Sequence, residues 1–363
     1  MSKEQSVAAV QRQFEIPGEF LGAAPYGSGH INDTWCAVFQ CSGGPARVIL
    51  QRINRNVFTN PPALMENIGR VSSHLAYKVS HEPDRERRAL TLIPARNGRV
   101  WHEDEDGNVW RAWTFIERAH TYDSVVSENQ AFQVGKAFGQ FQKMLADLPA
   151  PRLHEIIPDF HHTPKRFAAL ERAVLMDAAG RAILAKPEIE FALARKPIIR
   201  ALLDADLPER VTHNDTKFNN VLLDDETGEA ICVVDLDTVM PGLALYDFGD
   251  MVRTATSLAS EDERDLSRAN LEFPLFEALV RGYLGSAGTF LTKLEREYLA
   301  FSGKLITFEQ GVRFLTDYLA GDTYYKVHRD GQNLDRCRAQ FKLVESIERQ
   351  EEKMDRLVRS IEA

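Results

Sequence analysis

Apolar positions in this chain follow two rhythms, and the change between them divides it. In the first third the rhythm is that of strands with one helix among them. Residues 18–26 and 34–40 flank a glycine-containing turn at Gly27, Ser28 and Gly29. Residues 47–53, RVILQRI, form a β-branched run that predicts a strand. Residues 61–77 then place Leu64, Ile68, Val71 and Leu75 at helical spacing. A further strand is expected to end the region at residues 109–116, and residues 117–123 read as a connector. From Ser127 the rhythm turns helical. Phe132, Val134, Phe138, Phe141 and Leu145 are expected to line most of one helix face, which Pro149 ends. Strand signals return between Arg210 and Asp235, and after Asp247 the chain is helical almost throughout. The pattern predicts an α+β protein: a β-rich lobe over residues 1–116, a hinge at 117–123 and a mostly helical lobe over 124–363.

A length of 363 residues exceeds one ordinary core and supports two lobes. No stretch approaches the ~20 apolar residues that cross a bilayer, and the start lacks a basic segment followed by an apolar run. Cys36, Cys41, Cys232 and Cys337 have neither metal-type nor redox-type spacing, so reduced thiols in a cytoplasmic protein are expected. A net charge of -9 disfavours nucleic acid as a partner. A monomer or weak dimer is expected.

The segment VTHNDTKFNNVLLD places His213, Asp215 and Asn220 in the order H-x-D-x-x-x-x-N. Kinase catalytic loops carry the same letters at the same spacing. A carboxylate at Asp215 would accept or orient the proton of an attacking hydroxyl, and the Asn220 amide oxygen would hold Mg²⁺ beside phosphates. The alternative is an Asx-rich turn between two strands. Asp235 ends the short apolar run AICVV and is the expected second metal ligand, since Mg²⁺ prefers oxygen donors completed by phosphates and water. Asp237, two residues on, is a candidate for a second metal or the substrate. Asp247-Phe248-Gly249-Asp250 spells the metal-binding triplet of protein kinases, but it lies far past Asn220 and opens a predicted helix over residues 248–259. Asp247 is therefore expected as an N-cap that also bonds the catalytic loop, through His213.

HNDTKFNN, then VVDLDTVMPG and YDFGD, resemble the aminoglycoside-phosphotransferase superfamily, whose fold is protein-kinase-like. Within it, GSGHINDTW, ILQRIN and GVRFLTDYLAGDTYYK are similar to the N-acetylhexosamine 1-kinases, and the likeness spans roughly the whole chain. The resemblance implies ATP, Mg²⁺ and transfer to the anomeric hydroxyl of N-acetylglucosamine or N-acetylgalactosamine, giving the sugar 1-phosphate.

On the nucleotide side, Gly27, Ser28 and Gly29 read equally as a phosphate-covering loop or as a plain hairpin; the full G-x-G-x-x-G is absent. The third strand carries Arg52 in place of a lysine, with Glu66 as its expected ion-pair partner. Adenine is expected against Phe115 and Glu117, and Lys217 in the catalytic loop joins the nucleotide group. On the acceptor side, Glu309, Arg313 and Asp317 recur every four residues along one helix face. They read either as a solvated ladder or, following the resemblance, as Arg313 at the sugar with the two carboxylates supporting it. His30, Asn32 and Asp33 are candidates for sugar hydroxyls, Tyr324 and Tyr325 for an aromatic wall, and Asp237 and Thr238 for the acceptor region. The rivals are a kinase of this fold acting on choline, ethanolamine, an aminoglycoside or another sugar, and a non-catalytic nucleotide-binding module.

Overall fold

A computed structural model describes residues 3–27 and 31–361, with side chains from Ser6 onward. In chain order the elements are α1 (Lys3–Val10), β1 (Glu19–Pro25), β2 (Asp33–Cys41), β3 (Gly44–Arg52), α2 (Pro61–Lys78), α3 (Arg85–Arg88), β4 (Leu92–Ile93), β5 (His102–Glu103), β6 (Val109–Thr114) and β7 (Ala119–His120). They continue with α4 (Glu128–Leu145), α5 (Thr163–Met176), α6 (Lys186–Ala194), α7 (Ala201–Asp204), β8 (Arg210–Thr212), β9 (Val221–Asp224), β10 (Ala230–Val233), β11 (Met240–Gly242), α8 (Ala244–Ala255), α9 (Phe273–Ala287), α10 (Lys293–Glu297), α11 (Leu299–Leu319) and α12 (Gln332–Ser360). The mixed architecture expected from the rhythm is present. No helix among the described residues is long and apolar enough to cross a membrane.

The chain divides into two compact units. The first comprises Met1–Ala119, Asp147–Ile157 and Cys232–Val239; the second comprises His120–Ala146, Pro158–Ile231 and Met240–Ala363. Two short segments distant in sequence thus complete the first unit, which no local rhythm marked.

The first unit is built on an antiparallel sheet ordered β1-β2-β3-β6-β4, with β5 on β6. Its pleat sends Trp35, Ala37 and Phe39 of β2 and Val48 and Leu50 of β3 into one core with Trp110 and Ala112 of β6, closed by Val7, Val10 and Phe14. Alternation sets this face and register fixes the neighbours: Arg52 lies directly opposite Asp33 on one side and Trp110 on the other. Helix α2 starts at an Asn60 cap with proline in its first turn and buries Leu64, Ile68, Val71 and Leu75, the row predicted from spacing.

In the second unit Ser127 caps α4, its side chain accepting from the Gln130 N–H. Val134, Phe138, Phe141 and Leu145 are buried, but Phe132 is 36% exposed and leaves the predicted face. It precedes Val134 by two residues, about 200° around a helix, and so points away from that row. The helix ends at Leu145, before Pro149 can act on it. Helix α8 spans Ala244–Ala255 rather than residues 248–259, placing Asp247 inside its first turn rather than at its N-cap, which is Leu243. The chain enters that helix directly from β11, so the helix begins a turn earlier than its acidic residue suggested.

Helices α4 and α9 meet backbone to backbone. A Cβ on Gly135 would overlap the Leu279 carbonyl, one on Gly282 the Phe132 carbonyl, and one on Gly139 would stand 2.8 Å from the Tyr283 carbonyl. Glycine in mid-helix normally costs about 1 kcal/mol against alanine; here the close approach offsets it. Gly282→Ala is expected to destabilise the protein by about 1–3 kcal/mol through overpacking. Gly285→Ala, on the same helix with nothing within 4 Å of its Cβ, should gain about 0.4–1 kcal/mol. Urea denaturation of both variants checks the pair, and equal effects would refute the close-contact argument.

Candidate active site

The H-x-D-x-x-x-x-N segment forms a loop between β8 and β9, in the second unit. β8 pairs with β11 through Thr212 opposite Met240, which anchors the loop's entrance. Asn214 then adopts a left-handed backbone, φ 64°. The Asp247 carboxylate accepts both loop amides, from His213 N–H at 2.9 Å and Asn214 N–H at 2.7 Å. Its Oδ2 also accepts from Gln142 at 2.7 Å. The expected link from Asp247 to the catalytic loop is therefore made, at the backbone of His213 and Asn214. The His213 ring is fully buried against Phe138 and Phe141 and accepts from the Asp215 N–H at 3.4 Å.

Asp215 is partly exposed and forms an ion pair with Lys217, Nζ to Oδ1 2.7 Å. Asn220 donates its side-chain amide to the Asp215 carbonyl at 2.8 Å and to Oδ2 at 3.3 Å, bonds that do not involve its own Oδ1. Burial works against the Asp215 charge, but the Lys217 ammonium, with His213 and Arg253 behind it, holds the carboxyl below the usual carboxylate range. Burial likewise opposes the charge on Lys217, and Asp215 more than restores it, so its ammonium is held above the ordinary lysine value. Asp250, the last letter of the DFGD string, is buried in an ion pair with Arg253 at 2.8 Å, and Arg253 also donates to Glu261.

In the first unit, Asp235 follows β10 in a left-handed conformation, φ 60°, with its side chain exposed. Asp237 behaves oppositely. It is 3% exposed, forms an ion pair with the fully buried Arg111 and accepts from the Asn32 side chain. Arg111 also donates to Gln51, which in turn accepts from Trp113. Asn32 further accepts from the Asn54 N–H at 3.0 Å. Both oxygens of Asp237 and both ends of Asn32 are thus bonded inside the fold. Thr238 is buried beside them.

Several nucleotide-side expectations are also revised. Arg52 pairs with Asp33, its cross-strand neighbour, and not with Glu66; Glu66 meets His154 at 3.0 Å. Asp33 is thereby engaged as well. Gly27 takes φ +78°, the left-handed turn conformation that glycine adopts without strain; Ser28, Gly29 and His30 lie outside the described residues. The Phe115 ring is covered by the Arg47 guanidinium, 3.8 Å from its centroid, and by the edge of Tyr26 at 5.6 Å. Glu117 is the ion partner of Arg47. Arg87 donates to the Glu117 and Arg118 carbonyls.

On the acceptor side, α11 carries Glu309, Arg313 and Asp317, but they do not form a ladder. Glu309 is 1% exposed and bonds His161 and Thr163 at 2.9 and 2.6 Å. Asp317 accepts the backbone N–H groups of Thr323, Tyr324 and Tyr325 and the side chain of Asn333. It therefore shapes the turn that presents the two tyrosines. Arg313 is partly buried, donates to Gln310 and lies over the rings of Phe160 and Tyr325 at 5.1 and 5.9 Å. Tyr324 stands edge-on to Tyr325 and is 64% exposed. Arg166, which spacing did not single out, anchors itself on the Phe160 carbonyl nearby. Burial, then the charge of Arg313, depress its guanidinium below the ordinary arginine value.

The model of the phosphotransferase enzyme family matches residues 23–298, well over half of the chain. The chain belongs to this phosphotransferase family. Solved structures share its fold along nearly the whole length. An aminoglycoside phosphotransferase from Alicyclobacillus acidocaldarius subsp. acidocaldarius DSM 446 is 12% identical, with a TM-score of 0.62 covering 98% of this chain and 96% of that one. A microcompartment-associated aminopropanol kinase is 14% identical, with a TM-score of 0.59 and coverage of 97% and 98%. A spectinomycin phosphotransferase, in complex with ADP and spectinomycin, is 12% identical, with a TM-score of 0.57 and coverage of 96% and 97%. The fold is the mixed, protein-kinase-like fold of the family.

In this phosphotransferase the two aspartates after β10 are separated by burial and partner. Removing Asp237 strands a buried guanidinium, a change that typically costs 3–5 kcal/mol. Asp237→Ala should therefore destabilise the protein by about 3–5 kcal/mol. Asp235→Asn, exposed and at a backbone conformation that asparagine tolerates, should stay within about 0.5 kcal/mol of the parent. Chemical denaturation read by circular dichroism checks the contrast, and equal losses would contradict it.

Proposed function

We propose that this phosphotransferase moves the γ-phosphoryl group of ATP to the anomeric hydroxyl of an N-acetylhexosamine, N-acetylglucosamine or N-acetylgalactosamine. The observation that carries the reading is the catalytic loop. An ionised Asp215 is paired to Lys217, bonded by Asn220 and fixed through the backbone by Asp247. Asp215 accepts the proton of the sugar hydroxyl as its oxygen bonds to the γ-phosphorus; the bond from phosphorus to the bridging oxygen breaks and ADP leaves. Lys217, paired with Asp215, would place positive charge beside the transferred group. From their order in the sequence, Asn220 through Oδ1 and Asp235 through its exposed carboxylate would each offer Mg²⁺ an oxygen donor. No group of three or more His, Cys, Asp or Glu among the described residues forms a metal cage. A sparse oxygen set suits an ion that keeps waters and takes phosphate ligands. Bound there, Mg²⁺ would neutralise charge on the phosphates.

Arg313 and Arg166 support a neutral, hydroxyl- and carbonyl-bearing acceptor over a cation. The carboxylates of that face, Glu309 and Asp317, are consumed internally, and guanidinium groups remain beside Tyr324 and Tyr325. Choline, ethanolamine or an aminoglycoside would need an acidic or aromatic pocket, and here the Arg313 guanidinium already lies over the Phe160 and Tyr325 rings.

Asp215→Asn should retain MgATP affinity and lose about 10²–10⁴-fold in turnover. Because Lys217 helps hold the Asp215 carboxyl below its ordinary range, removing that ammonium lets its pKa rise. The acid limb of kcat/KM is therefore expected at higher pH in Lys217→Met than in the parent. Parallel pH–rate profiles measure this, and an unmoved or downward-moved limb would detach Lys217 from the base.

N-acetylglucosamine or N-acetylgalactosamine should be consumed with ATP to give the 1-phosphate, with the matching methyl glycoside inert because its anomeric oxygen is blocked. Phosphorus NMR of the product decides: phosphate on carbon 6, or turnover of the glycoside, removes the 1-kinase reading and leaves the phosphotransferase assignment standing.

A further inference from the structure

Just before α5, His161 sits 7% exposed with both ring nitrogens engaged. Nδ1 is 2.9 Å from Glu309 Oε1 and Nε2 is 3.1 Å from the carbonyl oxygen of Asn214. Neither partner has a proton to give. A peptide carbonyl only accepts, and the second oxygen of Glu309 already takes the Thr163 hydroxyl at 2.6 Å. Burial opposes the charge on Glu309, yet the hydrogen bond and charge of His161, together with Arg313 and Thr163, keep its carboxyl below the usual value. Two oxygen atoms thus face the two ring nitrogens, a geometry that a ring donating from both would satisfy in full.

We propose that His161 is a positioning residue of the phosphotransfer reaction, an imidazolium clamp charged by Glu309 that fixes the peptide leading into Asp215. Asn214 is the residue immediately before the base, and its left-handed backbone, φ 64°, is held at two points. Its N–H is gripped by Asp247 at 2.7 Å, and its C=O is gripped by His161. Its side-chain oxygen also accepts from Thr212, which ties the residue to β8. With N–H and C=O both fixed, the direction in which the chain leaves Asn214, and hence where the Asp215 carboxylate stands, has little freedom. The other ionisable groups around the clamp are Tyr246 of α8, its ring centroid 5.1 Å from that of His161, and the guanidinium groups of Arg313 and Arg166, which act on Glu309. Burial raises the Tyr246 hydroxyl above its ordinary value, so it remains neutral. Among the described residues, Glu309 is thus the carboxylate hydrogen-bonded to the ring.

The reading rests on Asp215 as the base, and a misplacement of about 1 Å in such a group costs about 10²-fold. His161→Ala and Glu309→Gln are each expected to lower kcat by roughly 10- to 100-fold with the KM for MgATP unchanged, the first by deleting the clamp and the second by removing the charge that sustains the second ring proton. The double variant should be no slower than the slower single one, because both changes break one device. In the unmodified protein, ¹⁵N-resolved NMR of labelled histidine should show two ring N–H groups on His161, and in Glu309→Gln one. Multiplicative losses in the double variant, a raised acceptor KM with kcat retained, or a single ring N–H in the unmodified protein would each overturn the clamp. If no acceptor is turned over at all, the kinase reading fails, and the NMR measurement still decides whether the ring is doubly protonated.

Discussion

One buried carboxylate organises the second unit. Asp247 has no exposed surface, and burial pushes its carboxyl above the usual range. By linkage, a raised folded-state value means that ionised Asp247 costs stability at neutral pH, a cost that would shrink as pH falls. Three donors limit it: two loop amides and Gln142. Gln142 in turn accepts from the Tyr283 hydroxyl at 2.6 Å, and burial, reinforced by the charge of Asp247, keeps that hydroxyl protonated and donating. A chain of hydrogen bonds thus runs from α9 through α4 and α8 to the catalytic loop. The glycine contacts between α4 and α9 explain why it can form: Tyr283 adjoins Gly282, and Gln142 lies one turn beyond Gly139. Helix packing at a distance becomes loop geometry by way of three side chains, Tyr283, Gln142 and Asp247.

The first unit solves a similar problem with an ion pair. Arg111 and Asp237 are both buried, and a pair in that setting contributes little net stability while making each partner indispensable to the other. Its use is positional. It draws the segment after β10 onto β6 and leaves Asp235, two residues earlier, exposed in a conformation that few residues adopt. One aspartate is spent on architecture so that its neighbour can be presented.

What could be read in the chain depended on how far apart the partners lie. The loop from His213 to Asn220 was legible because its chemistry sits within eight residues, and the strands and α2 because alternation and helical spacing are local. The partner of Arg52 was not, since strand register, and not proximity to the next helix, put Asp33 opposite it. Helical spacing placed Glu309, Arg313 and Asp317 on one face correctly, but it cannot say that Glu309 bonds a histidine 148 residues away. Arg111 escaped notice for the same reason, with its carboxylate 126 residues distant. Their burial offered no signal either, because charged residues in a sequence are read as surface until a partner is known.

The electrostatics around Asp215 bear on how the proposed reaction runs. Lys217, with Arg253 behind it, places positive charge beside it and makes it a weak base. For a step whose barrier is proton abstraction this would be a poor design. In phosphoryl transfer through a loose transition state, the nucleophile needs little deprotonation before the bond to the leaving group has largely broken. A carboxylate that stays ionised and well aimed then serves better than a basic one. That places the demand on position, which is where the fold concentrates its buried bonds: Asp247 on the amides, His161 on the carbonyl and Asn220 on Asp215 itself. An anomeric hydroxyl, the most acidic on a sugar, is the acceptor that asks least of such a base.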